Sequence, residues 1–103
     1  MLLIREIMYC KPGKVRAMTE KFVAMAKLSK ENGQGEMKIM TDLSAERYWT
    51  VVAQTEVASL QAFEDMMKGT GMSPELGKKY EAIMKDYHEL VEHGRREIYT
   101  VEG

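Results

Sequence analysis

Two phenols and an imidazole lie close together in the second long apolar repeat of the chain, at Tyr80, Tyr87 and His88. An imidazole titrates near neutral pH, so His88 beside Tyr87 could move protons to and from a bound molecule. We therefore predict His88 and Tyr87 as catalytic residues, with Tyr80 and Met84 of the same predicted helix as ligand-binding residues. The alternative for His88 is a histidine at the boundary of the core, with its ring half in solvent.

Trp49 is the only tryptophan, and it lies in a segment of strong β propensity, YWTVVAQT at 48–55. Side chains alternate along a strand, so Trp49 shares a face with Val51 and Ala53, and we expect that face to point toward the helices. Its ring could stack there on a planar ligand such as a quinone or polyketide ring, so Trp49 is predicted as a ligand-binding residue. A large ring is equally what a small core needs to fill it, and core filling is the favoured interpretation.

Charged residues stand in the first and last predicted strands, at Arg5, Glu6, Arg95, Arg96 and Glu97. If these strands are antiparallel neighbours, Arg5 could face Glu97 and Glu6 could face an arginine, in ion pairs that fix the register. The alternative turns Arg5 or Arg96 into a cavity, as an anchor for a carboxylate or an enolate. Ion pairing is favoured, and Arg5 stays a predicted ligand-binding residue because its strand neighbours are so apolar.

Ten of the 103 residues are methionines, and four of them fall in or near the second helical region: Met66, Met67, Met72 and Met84. Thioethers could bind copper(I), but this needs convergent methionine, cysteine or histidine ligands, and Cys10 lies far away in sequence. An adaptable core, packed around a changeable apolar ligand, is the favoured interpretation. The break at Gly69-Thr70-Gly71 is then either a mobile lid over that ligand or a simple turn.

Two helices are predicted in the first two thirds of the chain. The first runs from Lys14 to about Lys30, where apolar residues recur at steps of three and four. Pro12-Gly13 precedes this repeat as a start signal, and Asn32-Gly33 follows it as a stop signal. The second helix is shorter and runs from Leu60 to Lys68, with Ser59 as its cap.

The last predicted helix positions the candidate catalytic pair. It starts at Ser73-Pro74-Glu75, which supplies a capping hydroxyl, a proline in the first turn and an acid near the positive end of the helix dipole. An apolar stripe continues through Tyr87 and Val91, and Gly94 is expected to end the helix. His93 would then lie in the last turn as a capping imidazolium.

Four strands account for the remaining ordered segments. They are predicted at Leu2–Tyr9, Met37–Leu43, Tyr48–Thr55 and Arg96–Val101, with Ser44–Arg47 as a short hairpin link. The order is β-α-β-β-α-β, which is typical of a ferredoxin-like α+β fold with a four-stranded antiparallel sheet. The whole chain, residues 1–103, is expected to form one domain.

Both faces of this predicted sheet carry apolar side chains. In the first strand, Leu3 and Ile7 share one face with Arg5, whereas Ile4 and Met8 share the other. A lone chain has helices to cover only one face, and exposed apolar patches mark interaction sites. We therefore expect a homodimer in which two copies pack sheet to sheet.

Three segments resemble the dimeric α/β-barrel superfamily, most nearly its NIPSNAP-like members: Lys11–Val15, YWTVVAQTEVASLQAFE at 48–64 and HGRREIY at 93–99. The resemblance implies two ferredoxin-like subunits with facing sheets, and a small cavity between sheet and helices in each. The superfamily includes cofactor-free monooxygenases, haem-degrading enzymes and haem peroxidase relatives, so the fold fixes the chemistry poorly. Some haem-degrading relatives use an asparagine with a tryptophan and a histidine. The sole asparagine, Asn32, is expected in a loop, which argues against haem chemistry.

Composition excludes several classes of protein. The chain is 45% hydrophobic and 30% charged with a net charge of −1, which argues against a disordered segment and against a nucleic-acid partner. No apolar run approaches the length of a membrane span and no secretory signal is recognised, so no membrane partner is expected. A single cysteine fits a reducing cytoplasm, where we expect the protein to be located.

These patterns favour a protein of undefined activity that binds a small apolar or aromatic molecule between sheet and helices. Whether it is an enzyme stays open. A catalytic version would be a cofactor-independent monooxygenase or isomerase, in which Tyr87 and His88 transfer protons. No cofactor or metal is predicted, since no phosphate-binding glycine loop, HExxH or CxxC motif occurs. The alternative is a non-catalytic homodimeric assembly or regulatory module whose important surface is the face of the sheet.

Overall fold

The computed structural model describes residues 1–103 as a four-stranded antiparallel sheet with three helices packed on one face. The elements are β1 (Leu2–Cys10), α1 (Val15–Glu31), β2 (Met37–Thr41), β3 (Thr50–Val57), α2 (Leu60–Lys68), α3 (Pro74–Met84), a 3-10 turn (Tyr87–Glu89) and β4 (Val91–Thr100). The strand order is β2-β3-β1-β4 and every neighbouring pair is antiparallel. The predicted ferredoxin-like fold class is therefore confirmed.

Helix α1 forms as the apolar repeat predicts. Its buried side chains include Met18, Phe22 and Leu28, which lie on one face of the helix. The helix ends at the expected stop signal, where the Asn32 backbone N–H and side-chain amide both donate to the Leu28 carbonyl oxygen. None of the helices is long and apolar enough to cross a membrane.

The two later helices begin at the predicted serine caps. The Ser59 hydroxyl accepts from the Ala62 N–H at the start of α2, and the Ser73 hydroxyl accepts from the Leu76 N–H at the start of α3. Gly69 ends α2 with φ of +70°, the left-handed conformation that glycine adopts without strain. The predicted bounds of α2 are confirmed.

Helix α3 ends at Met84, ten residues before the predicted Gly94. The Lys21 ammonium group of α1 donates to the carbonyl oxygens of Ile83 and Lys85 at 3.0 and 2.7 Å, so these groups have their partners outside the helix. Asp86 then adopts φ of +61°, and the chain turns toward the sheet. The predicted continuation was wrong because apolar residues of the 3-10 turn and β4 prolong the helical spacing while packing on the same core.

Strand β4 consequently begins five residues earlier than predicted, at Val91 rather than Arg96. It pairs along the length of β1, from Leu2 opposite Thr100 to Cys10 opposite Val91. His93 therefore lies on a strand opposite Tyr9 and does not cap a helix. Its ring centroid is 4.8 Å from that of Tyr9.

The link between β2 and β3 is longer than the predicted hairpin, spanning residues 42–49. The Asp42 carboxylate accepts from the Thr50 N–H at 2.8 Å, and this bond helps to close the loop at the start of β3. Trp49 has φ of +62° and a 44% exposed side chain, so it precedes the strand instead of lying within it. The expected placement of Trp49 within the strand, in phase with Val51 and Ala53, was wrong for this reason.

The main core lies between the sheet and α1. Its buried members are Cys10, Met18, Phe22, Val51 and Ala53. Burial raises the pKa of the Cys10 thiol, and the nearby Asp42 carboxylate raises it further, so the thiol stays protonated at neutral pH. Cys10 thus acts as a small apolar side chain of this core.

The opposite side of the sheet, the open face, carries no helix. Tyr9 and Ile7 point to this side, and the 42–49 loop partly covers them, because the Arg47 guanidinium lies 4.5 Å from the centroid of the Tyr9 ring. The Arg5 guanidinium lies 3.7 Å from the Glu97 carboxylate on this face, and Tyr99 is 48% exposed.

The favoured ion-pair interpretation of the strand charges is confirmed. Arg5 stands opposite Glu97 in the register, and Glu6 stands opposite Arg96 and forms an ion pair with it on the helix-facing side. The Arg96 guanidinium also lies 5.1 Å from the ring centroid of Phe63 in α2. These pairs are partly exposed, so each contributes about 0–1 kcal/mol and serves mainly to fix register.

Candidate functional site

A cavity of about 330 Å³ lies between the three helices. Four methionines, three polar or charged side chains, a tyrosine and two glycines line it: Met25, Ser29, Gln34, Met66, Met67, Lys68, Gly69, Met72, Gly77 and Tyr80. No residue of the sheet is among them, so this cavity is displaced outward from the predicted position between sheet and helices. Its volume is within the lower part of the range of small-molecule sites.

The local sequence explains how the cavity forms. Met25 and Ser29 stand one helical turn apart on α1, on the side that continues the stripe of Met18 and Phe22. Gly77 removes a side chain from the facing surface of α3, and a Cβ built there would meet only Met72 Sδ, at 3.9 Å. Missing side-chain volume at this position therefore leaves the space that the cavity occupies.

A hydroxyl cluster closes one side of the cavity. The Tyr80 hydroxyl donates to Gln34 Oε1 at 2.5 Å, and Ser29 Oγ lies 2.9 Å from the Tyr80 oxygen. A phenol has only one hydrogen, so Ser29 must be the donor to Tyr80. The resulting chain of hydrogen bonds runs from Ser29 through Tyr80 to Gln34.

The hydrogen bond from the Tyr80 hydroxyl to Gln34 Oε1 assigns the orientation of the Gln34 amide. The amide oxygen therefore faces Tyr80, and the Gln34 Nε2 group keeps two N–H donors that make no hydrogen bond within the protein.

Lys68 is the only charged residue in the lining. It stands in the last turn of α2, and no carboxylate lies within 4.0 Å of its ammonium group. Because the lining contains no acid, the cavity combines apolar walls with a net positive charge at one point of its edge.

The structure brings only one predicted site residue into this cavity. Tyr80 lines it, whereas Met84 and Tyr87 pack against the main core. The Tyr87 and His88 rings lie 4.0 Å apart between centroids, in the 3-10 turn, with His88 exposed. Neither residue lines the cavity, so their catalytic roles stay predictions.

The two remaining predicted ligand-binding residues lie elsewhere. Trp49 borders an open hollow at the end of the sheet, together with Val15, Asp42 and Tyr48. Arg5 lines a 260 Å³ depression on the open face, where Glu97 pairs with it. The predicted set of Trp49, Arg5, Tyr80 and Met84 therefore does not converge on one site.

Charges on the open face are largely matched in pairs. The Arg95 guanidinium binds Glu97 at 2.6 Å and Glu46 at 3.5 Å. The Tyr99 hydroxyl donates to Glu97, and this hydrogen bond raises the pKa of Tyr99 above its usual value. Such a balanced surface offers little excess charge to a ligand.

Sequence reasoning missed Ser29, Gln34 and Lys68. A signal for Ser29 was present, because it continues the spacing of Met18, Phe22 and Met25 and is therefore a polar residue on a buried helix face. Gln34 and Lys68 carry no such signal, since each follows or ends a helix and only the packing of helices brings them together.

No protein-family model matches the sequence, and no curated protein matches it significantly. Solved structures with a similar fold are nevertheless found. A NIPSNAP domain protein from Burkholderia xenovorans superposes with a TM-score of 0.73 and 14% sequence identity, over 99% of this chain and 95% of that one. A NIPSNAP family protein from Agrobacterium tumefaciens gives 0.72 at 13% identity, over 96% of this chain and 90% of that one.

A third similar structure comes from Deinococcus radiodurans and is described as a candidate antibiotic biosynthesis monooxygenase. It superposes with a TM-score of 0.65 and 12% identity, over 100% of this chain and 94% of that one. Identities this low show a shared fold and do not establish a shared reaction. The chain therefore shares its ferredoxin-like fold with these NIPSNAP domain proteins and with the Deinococcus radiodurans protein.

Proposed function

We propose that the protein binds a small apolar or aromatic molecule in the cavity between α1, α2 and α3. The observation that carries this proposal is the 330 Å³ space lined by four methionines and bordered by the Ser29–Tyr80–Gln34 hydrogen bonds. Thioether side chains are flexible and polarisable, so such walls adjust to different apolar ligands. A few polar groups at one side would fix the orientation of the ligand.

Simple core packing does not account for this space. The space opens to solvent, where Met66 is 39% and Met67 57% exposed, so these side chains leave apolar surface in contact with water that a bound ligand would cover. Gly77 leaves the space open although its helical backbone accepts any side chain except proline without strain. Glycine here costs about 1 kcal/mol of helix propensity relative to alanine, and it places no side chain in the space.

The test uses N-phenyl-1-naphthylamine, a neutral aromatic probe whose fluorescence increases in apolar surroundings. The wild-type protein is expected to bind it. In Gly77→Leu the new side chain fills the cavity, so binding should weaken at least about tenfold, whereas Gly77→Ala adds one methyl group and should retain binding. Equal binding by the wild type and Gly77→Leu would contradict the proposal.

A catalytic version of this proposal would make the protein a cofactor-independent monooxygenase or isomerase. It is supported by the fold shared with the Deinococcus radiodurans protein. In that version Tyr87 and His88 would handle protons, Trp49 would stack on the ring and Arg5 would stabilise negative charge. These four side chains lie outside the methionine-lined cavity, so the geometry supports binding better than catalysis.

We further propose that the protein is a homodimer in which the open faces of two copies pack together. In favour of this arrangement, the open face combines apolar side chains with both signs of charge, so two copies related by a two-fold axis could pair Arg5 or Arg95 of one with Glu97 of the other. The Arg5 Nε atom is also shielded from solvent without any hydrogen-bond partner. An assembly module without a ligand is the alternative that this surface would equally serve.

A further inference from the structure

We infer that the ligand of the methionine-lined cavity is an apolar carboxylic acid, bound as its carboxylate by Lys68 and Gln34. This inference rests on the proposed binding function and names the chemical class of the ligand. The cavity has room for a short acyl chain or a single aromatic system, and its lining combines methionines with the polar side chains of Ser29, Gln34 and Lys68.

The charge of the lining excludes a cationic ligand and favours an anionic one. Lys68 contributes the only charge, and no carboxylate is within 4.0 Å of its ammonium group. A cation or a basic amine would meet the like charge of Lys68 and would find no carboxylate in the lining to pair with. A carboxylate would receive a charge-assisted hydrogen bond, which is about twice as strong as a neutral one.

The hydrogen-bond inventory leads to the same ligand chemistry. The Tyr80 hydroxyl donates its hydrogen to Gln34 Oε1, and the Ser29 hydroxyl donates its hydrogen to the Tyr80 oxygen. The hydrogens left over are the two of Gln34 Nε2 and the three of Lys68, whereas Ser29 Oγ and Tyr80 Oη keep lone pairs that can still accept. A carboxylate brings only acceptor oxygens and can use the free hydrogens of Gln34 and Lys68.

Lys68 forms no ion pair, and the same holds for every other lysine of the chain except Lys30, which lies 3.7 Å from Glu36. Lys68 has Asp65 three residues before it on the same helix, yet Asp65 instead accepts from Gln61 at 3.0 Å. The ammonium group is therefore left available at the edge of the cavity.

The experiment compares octanoate with 1-octanol by isothermal titration calorimetry. The two have chains of equal length and differ in the polar head. A cavity without charge or donors would favour the alcohol, because a carboxylate loses more hydration on burial. We expect octanoate to bind about tenfold more tightly than 1-octanol, and only octanoate binding to weaken with added salt.

Two variants test whether Gln34 and Lys68 bind the carboxylate. Gln34→Glu keeps the acceptor for Tyr80 but replaces the Nε2 donors by a carboxylate oxygen, so octanoate binding should fall about tenfold or more while 1-octanol binding stays unchanged. Lys68→Gln should abolish the preference for octanoate over 1-octanol. Lys78→Gln removes an exposed lysine of α3 outside the lining and should change neither affinity.

The outcomes separate the two proposals. Binding of 1-octanol as tight as that of octanoate, or unchanged octanoate binding in Gln34→Glu and Lys68→Gln, would overturn the carboxylate assignment and leave the apolar cavity intact. Failure of octanoate, 1-octanol and N-phenyl-1-naphthylamine alike would overturn the binding function itself.

Discussion

At the scale of single residues, the account depends on the hydroxyl of Tyr80. It is the only predicted site residue that lines the cavity, and it connects Ser29 of α1 to Gln34 beyond the end of that helix. It therefore links α3 to the segment that follows α1, as well as presenting a polar surface to a ligand.

Tyr80→Phe is expected to destabilise the protein by about 1 kcal/mol. The substitution removes one hydroxyl and leaves Ser29 Oγ and Gln34 Oε1 without their common partner. Urea unfolding measures the change, with Tyr48→Phe as control, because Tyr48 is 85% exposed and has no such bond. An equal effect of both substitutions would show that the hydroxyl cluster contributes nothing to the fold.

His88→Gln should leave the affinity for N-phenyl-1-naphthylamine unchanged. His88 is exposed in the 3-10 turn and does not line the cavity, so its ring makes no contact with a ligand there. Fluorescence titration of the variant beside the wild type measures this. A clear loss of affinity would instead place the ligand near Tyr87 and His88, as the sequence predicted.

At the scale of elements, the end of α3 determines where the last strand begins. The Lys21 ammonium group donates to two carbonyl oxygens there, at Ile83 and Lys85. Without these bonds the carbonyl groups would have to find other partners.

Lys21→Met should therefore lower the free energy of unfolding by about 1–2 kcal/mol. The control is Lys27→Met, which removes an exposed lysine of the same helix that makes no hydrogen bond or ion pair. Thermal or urea unfolding compares the two. If Lys27→Met destabilises the protein as much as Lys21→Met, the two hydrogen bonds from Lys21 to the end of α3 do not contribute to the free energy of unfolding.

The same region shows what the sequence could and could not predict. Helices α1 and α2 were predicted within a residue of their bounds, because apolar spacing and capping serines are local signals. The segment from Tyr87 to Val91 keeps the helical spacing and still leaves the helix, since the Leu90 carbonyl oxygen accepts from the Lys11 N–H and Val91 pairs with Cys10 of β1. Gly94 was expected to end a helix, but in β4 it stands opposite Met8, where a Cβ would lie 2.9 Å from Sδ.

The candidate site was only partly predictable for a related reason. The abundance of methionine and the choice of Tyr80 followed from residue type and helical spacing. Trp49 was misplaced because its left-handed backbone conformation depends on the loop that Asp42 closes, and no local pattern shows this. Gln34 and Lys68 meet at the cavity only through the packing of α1 against α3 and of α2 beside them.

At the scale of the whole molecule, the open face is the side of the sheet that no helix covers. If two copies pack there, Tyr99→Glu places a new carboxylate beside Glu97 in the interface and should shift the protein to monomer. Val23→Glu adds the same charge to α1 at a side chain that is 51% exposed and should leave the assembly unchanged.

Sedimentation velocity of the wild type and both variants measures the assembly directly. The expected result is a dimer for the wild type and Val23→Glu, and a monomer for Tyr99→Glu. A wild-type monomer at concentrations up to about 100 μM would exclude a dimer of useful stability.

The most direct test of the central claim is an NMR titration of protein labelled with ¹³C at the methionine methyl groups, using N-phenyl-1-naphthylamine as ligand. Binding in the cavity should shift the methyl signals of Met25, Met66, Met67 and Met72, while that of Met18, fully buried in the main core, stays in place. Shifts confined to methionines outside the cavity, or no shift at saturating probe, would contradict the assignment of this cavity as the binding site.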